Sequence, residues 1–231
     1  MDKQGNSYTF IYASVLVIVS AALLALISQG LRPTQAKNEE IAKKIDILKS
    51  ANIESDSKNA EELYDKVIGN SSYIVDFQGN KVDGDAFTVD MAKEVRKDAK
   101  ERKYPVYEAR LENGELKYIL QMRGAGLWGP LWGFISINDD KNTIYGATFA
   151  HKGETPGLGA EIDKQPFQQQ FKGKNIFDSA GKLVSVAVNK GHAPQTALHE
   201  VDAISGGTIT SKGLENMLLD FFQGYENFLK K

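Results

Sequence analysis

The sequence predicts an α+β protein: a single N-terminal transmembrane helix, then one domain built on a twisted antiparallel sheet with flanking helices. Three observations carry that expectation. Residues 4–31 contain no charged side chain. Between Val106 and Ala150, segments rich in β-branched and aromatic residues alternate with turn residues. Near the C-terminus Leu214, Met217, Leu218, Phe221, Tyr225, Phe228 and Leu229 recur at helical spacing. A chain of 231 residues fits one ordinary domain plus an accessory segment. The expected division is an anchor over 1–33, a mainly helical linker and first part of the domain over 34–104, and the domain core over 105–231.

The anchor comes first. Residues 10–27 are apolar except for Ser14 and Ser20, and a helix of that length approaches the roughly 30 Å of a bilayer's hydrocarbon core. Tyr8 and Tyr12 sit where an aromatic belt would lie. A cleaved signal peptide fits less well: its basic start is only Lys3 beside Asp2, and Thr34-Gln35-Ala36 is a poor cleavage site. A buried core helix would show a polar face, and none interrupts this run.

After Pro33, residues 38–51 form an amphipathic pattern with Ile41, Ile45 and Leu48 on one side, which reads as a helix packing on its own domain. A short helix over 60–68 precedes an alternating strand over 73–77 that ends at the Gln78-Gly79-Asn80 turn. Helix formers return over 90–103, with Pro105 as the stop. Strands follow over 106–111, 116–122, 133–137 and 144–150, joined through turns at Asn113-Gly114 and residues 139–142. Residues 167–171 and 183–188 are further short elements, the second expected as a strand. The last helix has a core-facing stripe.

Composition excludes several classes of function. The formal net charge of -2 lacks the basic excess of a nucleic-acid binder. With no Cys there is neither a zinc ribbon nor an iron–sulfur ligand set nor a disulfide framework. His151, His192 and His199 are too scattered for a metal motif. No nicotinamide fingerprint, G-x-S-x-G elbow or S-x-x-K unit occurs.

The chemistry concentrates in three glycine-rich stretches. One is Gly126-Leu127-Trp128-Gly129-Pro130-Leu131-Trp132-Gly133, and another is Glu154-Thr155-Pro156-Gly157-Leu158-Gly159. Singly they read as a bent sheet edge and a surface turn. The third, Asp202-Ala203-Ile204-Ser205-Gly206-Gly207-Thr208-Ile209-Thr210-Ser211, surrounds two glycines with hydroxyls and runs into the last helix. As local chemistry it is open to two readings, a helix cap or a phosphate site at a helix N-terminus, and caps are far commoner.

Taken together and in this order, the three stretches resemble the signature segments of the FMN-binding domain family, over a length from about residue 100 to the end. The run Asp202-x-x-Ser205-Gly206-Gly207-Thr208 is similar to that family's flavinylation motif, with Gly207 where alanine is usual. The resemblance implies a covalent FMN, esterified through its phosphate to the Thr208 hydroxyl by a separate magnesium-dependent flavin transferase that uses FAD. It further implies Leu127, Trp128 and Leu158 as walls for the flavin ring, and Gly157 and Gly159 for close backbone approach. Thr155 and nearby amides would meet the ring's polar edge, and Glu154 would orient its loop. Ser205, Gly206, Gly207 and Thr210 would surround the phosphate end. Asp202 would serve the modifying enzyme or fix the loop, because a carboxylate repels a phosphate.

Within the family the likeness is strongest to members that relay electrons in a sodium-translocating NADH:quinone oxidoreductase. The chain would then be an electron carrier inside an enzyme complex, with the complex's other subunits and the lipid bilayer as partners and no nucleic acid. The second reading is the corresponding flavin-binding subunit of the related Rnf complex. A third, from a different class, is an anchored domain that binds a phosphate ligand without redox work. A count of basic residues, Lys3 against Arg32, Lys37, Lys43 and Lys44, places the domain in the cytoplasm. Long domains cross largely regardless of charge, and the resemblance implies the extracytoplasmic side of the cytoplasmic membrane.

Overall fold

The computed structural model describes residues 5–191, 193, 194 and 196–231; Lys3, Gln4 and His192, named above, lie outside them. The chain divides into two compact units, Met1–Lys43 and Lys44–Lys231.

The first unit is helical. Helix α1, Asn6–Ser50, contains a stretch of mean hydropathy 2.7 that is long and apolar enough to cross a membrane, with none of it buried. Pro33 lies inside this helix, whereas the sequence suggested a new element after it. A proline costs one backbone hydrogen bond, and the good helix formers around it, Leu31, Arg32, Gln35, Ala36 and Lys37, carry the helix past it. The residues that α1 buries are Ile47, Leu48 and Ser50, not the expected Ile41 and Ile45.

The second unit is built on a six-stranded sheet. Its strands are β1 (Ser72–Val75), β2 (Lys81–Val82), β3 (Tyr104–Arg110), β4 (Leu116–Ala125), β5 (Pro130–Asn138) and β6 (Ile144–His151). They lie in the order β2-β1-β3-β4-β5-β6, every pair antiparallel. Alternation along the strands gives the sheet two apolar faces. Val106, Leu120, Met122 and Ile135 pack with helix α5 (Thr208–Leu229), while Tyr107, Ala109, Ile119 and Phe134 pack with Ile47, Leu48 and Tyr64. Tyr64 belongs to α2 (Ala60–Val67).

Three expectations change. The helix over 90–103 is instead two short pieces, α3 (Met91–Glu94) and a 3₁₀ turn at Ala99–Glu101. Each begins at an aspartate cap: Asp90 accepts from the Ala92 and Lys93 amides, and Asp98 from the Lys100 amide. A cap in mid-segment starts a new turn rather than continuing the old one. The strand over 183–188 shifts to β7 (Ala187–Asn189), and β7 pairs in parallel with β8 (Glu200–Asp202), beside the otherwise antiparallel architecture. Residues 167–171 are helical, in α4 (Gln165–Gln168) and a 3₁₀ turn at Gln169–Phe171.

Within the second unit, burial pushes the Asp46 carboxyl up to about 6, with Lys49 opposing the rise. A folded-state value above the unfolded one means that this group favours folding at low pH, and that the contribution is lost as pH rises from about 4 through about 6. Asp46→Asn is therefore expected to stabilise the detergent-solubilised protein at pH 7 by about 1–3 kcal/mol, and to have little effect near pH 4. Thermal unfolding at the two pH values checks this, and a variant no more stable than the parent at pH 7 contradicts it.

Candidate functional site

Three loops meet at one end of the sheet. The first is the β4–β5 hairpin tip, residues 126–129, closed by the Gly126 amide donating to the Gly129 carbonyl at 2.8 Å. The second follows β6 over 152–158, where the Thr155 carbonyl accepts from the Leu158 and Ala160 amides. The third, residues 203–207, leads into α5.

Leu127, Trp128, Glu154, Thr155, Leu158, Gly159, Gly206, Gly207, Thr208, Ile209 and Thr210 line a cavity of about 220 Å³ between these loops. Its apolar rim faces solvent: Trp128 is 65% exposed, Ile209 59%, Leu127 47% and Leu158 42%. Clustered exposed apolar side chains of this size mark a surface that something covers. The cavity is smaller than the roughly 300 Å³ at which ligand pockets usually begin. It therefore suits one part of a larger molecule whose flat remainder lies across the rim.

The start of α5 supplies the polar end. Gly207 is its N-cap residue and no side chain caps the helix, so the first-turn amides and the positive end of the helix dipole face the cavity. The hydroxyl cluster splits in two. Thr210 is buried and donates to Glu154 Oε2 at 2.6 Å, and Ser211 Oγ accepts from the Ile204 amide at 3.1 Å. Ser205 and Thr208 are exposed, and of these two Thr208 lines the cavity. His199, the nearest histidine in sequence, holds the Asn175 carbonyl through Nδ1 at 2.8 Å.

The remaining site residues fall outside the lining. Asp202 sits on β8, with Oδ1 accepting from the Ala193 amide at 2.5 Å and its own amide donating to Gln170. Gly157 takes a left-handed turn conformation at φ 74° and its amide donates to Glu161. Ile209 was missed by the sequence reading; its signal was an apolar residue in the first turn of α5, off the stripe that begins at Leu214. Gly207 fits its surroundings closely, since a methyl there would come within 2.9 Å of Ile204 Cγ2 and 3.2 Å of the Gly159 nitrogen. In this chain Ile204 takes up the space that the motif's usual alanine would need.

An FMN fits these residues on structural grounds. The helix start suits its phosphate, the apolar rim suits the faces of its ring, and the backbone at Gly159 and Gly206 comes close to opposing side chains where a Cβ would intrude.

The sequence pattern of the FMN-binding domain matches residues 126–223, which include the three loops and most of α5. Among curated proteins, the chain is 34% identical to the NqrC protein of the Na(+)-translocating NADH-quinone reductase of Vibrio vulnificus over 92% of this chain and 89% of that protein. Its counterpart in Neisseria meningitidis serogroup B is 33% identical over 100% of this chain and 95% of its own length. Among solved structures, the counterpart from Parabacteroides distasonis superposes with a TM-score of 0.80 at 49% identity, covering 87% of this chain and 98% of that one. Shewanella oneidensis NqrC superposes with a TM-score of 0.71 at 25% identity, covering 84% of this chain and 97% of that one.

Proposed function

This chain belongs to the NqrC family of the Na(+)-translocating NADH-quinone reductases, and from that membership we propose that it carries a covalent FMN on Thr208 and relays electrons within such a complex. The observation that carries the reading is an exposed threonine hydroxyl at a helix start without a side-chain cap, opening into a cavity with an apolar rim.

The linkage is made by a flavin transferase, because nothing beside Thr208 in its own motif can activate a neutral hydroxyl. The threonine oxygen attacks the FMN phosphorus of FAD and forms one P–O bond. The pyrophosphate P–O bond breaks, AMP leaves, and the hydroxyl proton passes to the transferase. When bound, FMN supplies reversible electron uptake. The chain's residues hold it: α5 and residues 205–207 at the phosphate, Leu127, Trp128, Leu158 and Ile209 at the ring faces, and Thr155 at the ring's polar edge. Residues 1–33 anchor the chain in the cytoplasmic membrane, 34–104 form the linker and first part of the domain, and 105–231 form the flavin-holding core on the extracytoplasmic side. The relatives named above favour this machine over the Rnf complex.

The test uses the purified complex. On mixing with NADH, the flavin bound to this chain is expected to bleach and then recover when quinone is added, with a reporter fused after Lys231 active only outside the cytoplasm. A flavin that stays oxidised throughout turnover overturns the relay, and a reporter active only inside overturns the topology.

A further inference from the structure

We propose that Glu154 is the positioning residue of the flavin site: its buried carboxylate joins the three loops and lowers the reduction potential of the flavin they hold. The electrostatic half rests on the functional reading above, while the joining half does not.

Glu154 is 5% exposed although its neighbours Gly153 and Thr155 are exposed. Oε1 accepts from the Trp128 amide at 2.8 Å, 26 residues away, and Oε2 accepts from the Thr210 hydroxyl at 2.6 Å, 56 residues away. Its own amide donates to His151 Nδ1 at 3.1 Å. One side chain thus ties the hairpin tip to the first turn of α5, and its own loop back to the end of β6.

The glycines of the site bear this out. A Cβ at Gly126 would stand 2.5 Å from Oε1, and one at Gly159 would stand 2.5 Å from Oε2. Both positions are glycine because the carboxylate passes there. These two signature glycines make room for a protein side chain as well as for a ligand.

Both oxygens are held by uncharged donors, so the negative charge is fixed and hydrogen-bonded without a cation in contact with it through those bonds. A buried carboxylate is costly and persists only when its oxygens are satisfied. It also lines the cavity. A fixed negative charge beside a flavin disfavours electron uptake, because the reduced flavin must hold added negative charge or take up a proton to cancel it.

Two variants separate the halves. Glu154→Gln keeps an oxygen for the Trp128 amide and presents an NH₂ group to Thr210, so the loops stay joined while the charge is gone. Its Trp128 amide is expected to exchange with deuterium as slowly as in the parent, and its covalent flavin to titrate at a higher midpoint potential. Glu154→Ala removes the tie, and its Trp128 amide is expected to exchange about tenfold faster or more, the loss of one hydrogen bond to a charged group. The exchange arm is run on full-length protein made without the flavin transferase, so it stands whether or not flavin is present. Unchanged Trp128 exchange in the alanine variant overturns the joining role. An unchanged or lower potential in the glutamine variant overturns the electrostatic one. A parent protein carrying no flavin sinks the functional reading but leaves the exchange result standing.

Discussion

Thr208→Ala is expected to leave no flavin on the denatured polypeptide while the domain folds as before. The Thr208 side chain is exposed and only begins α5, so removing its hydroxyl and methyl costs the fold about 0.5 kcal/mol or less. The loss of cofactor is all or none, because Thr210 is buried against Glu154 and Ser205 does not line the cavity. Quinone reduction by the complex should fall to background, since a tethered cofactor held at millimolar effective concentration becomes one that diffuses away. Thr208→Ser keeps the oxygen and should retain the flavin. Fluorescence of the protein band after denaturing electrophoresis reads both variants directly.

Gly224→Ala should have the largest effect on stability. Gly224 lies on the buried face of α5, and a Cβ there would overlap the edge of the Tyr104 ring. That ring cannot step aside: its hydroxyl donates to the Ala99 carbonyl at 2.6 Å, and it packs edge-on to Phe221 and Tyr225 with centroids 6.2 and 5.1 Å away. Overpacking of this kind costs about 3 kcal/mol or more. The better helix propensity of alanine returns about 1 kcal/mol. The net loss corresponds to a fall in Tm of about 4–8 °C for a domain of this size. Thermal unfolding of the detergent-solubilised protein measures it, and an unchanged Tm would show that α5 and β3 are not in the contact described.

What was legible in the sequence is what is local. The antiparallel strands from β3 to β6 and the helix α5 show as period and turn chemistry, and the three glycine-rich loops show as short runs. The helix over 90–103 failed because propensity cannot see that Asp98 caps a fresh turn. Strand β8 carries a single apolar residue, Val201, between two acids, too little pattern to register. Thr210 and Ser211 were read with the exposed hydroxyls, yet Thr210, Leu214, Met217 and Phe221 continue one buried face of α5, so that signal was present and stopped one turn short. The role of Gly126 and Gly159 toward Glu154 was not readable at all. It depends on contacts 26 and 56 residues apart that exist only once the sheet and α5 have assembled.

The most direct test of a covalent flavin relay is the mass of the proteolytic peptide that contains Thr208, taken from protein purified with its complex. This peptide is expected to carry the added mass of FMN less one water, with fragmentation placing it on the Thr208 oxygen. Flavin found on Ser205 or Thr210, or a Thr208 peptide of unmodified mass from a preparation whose flavin is released on denaturation, would contradict it.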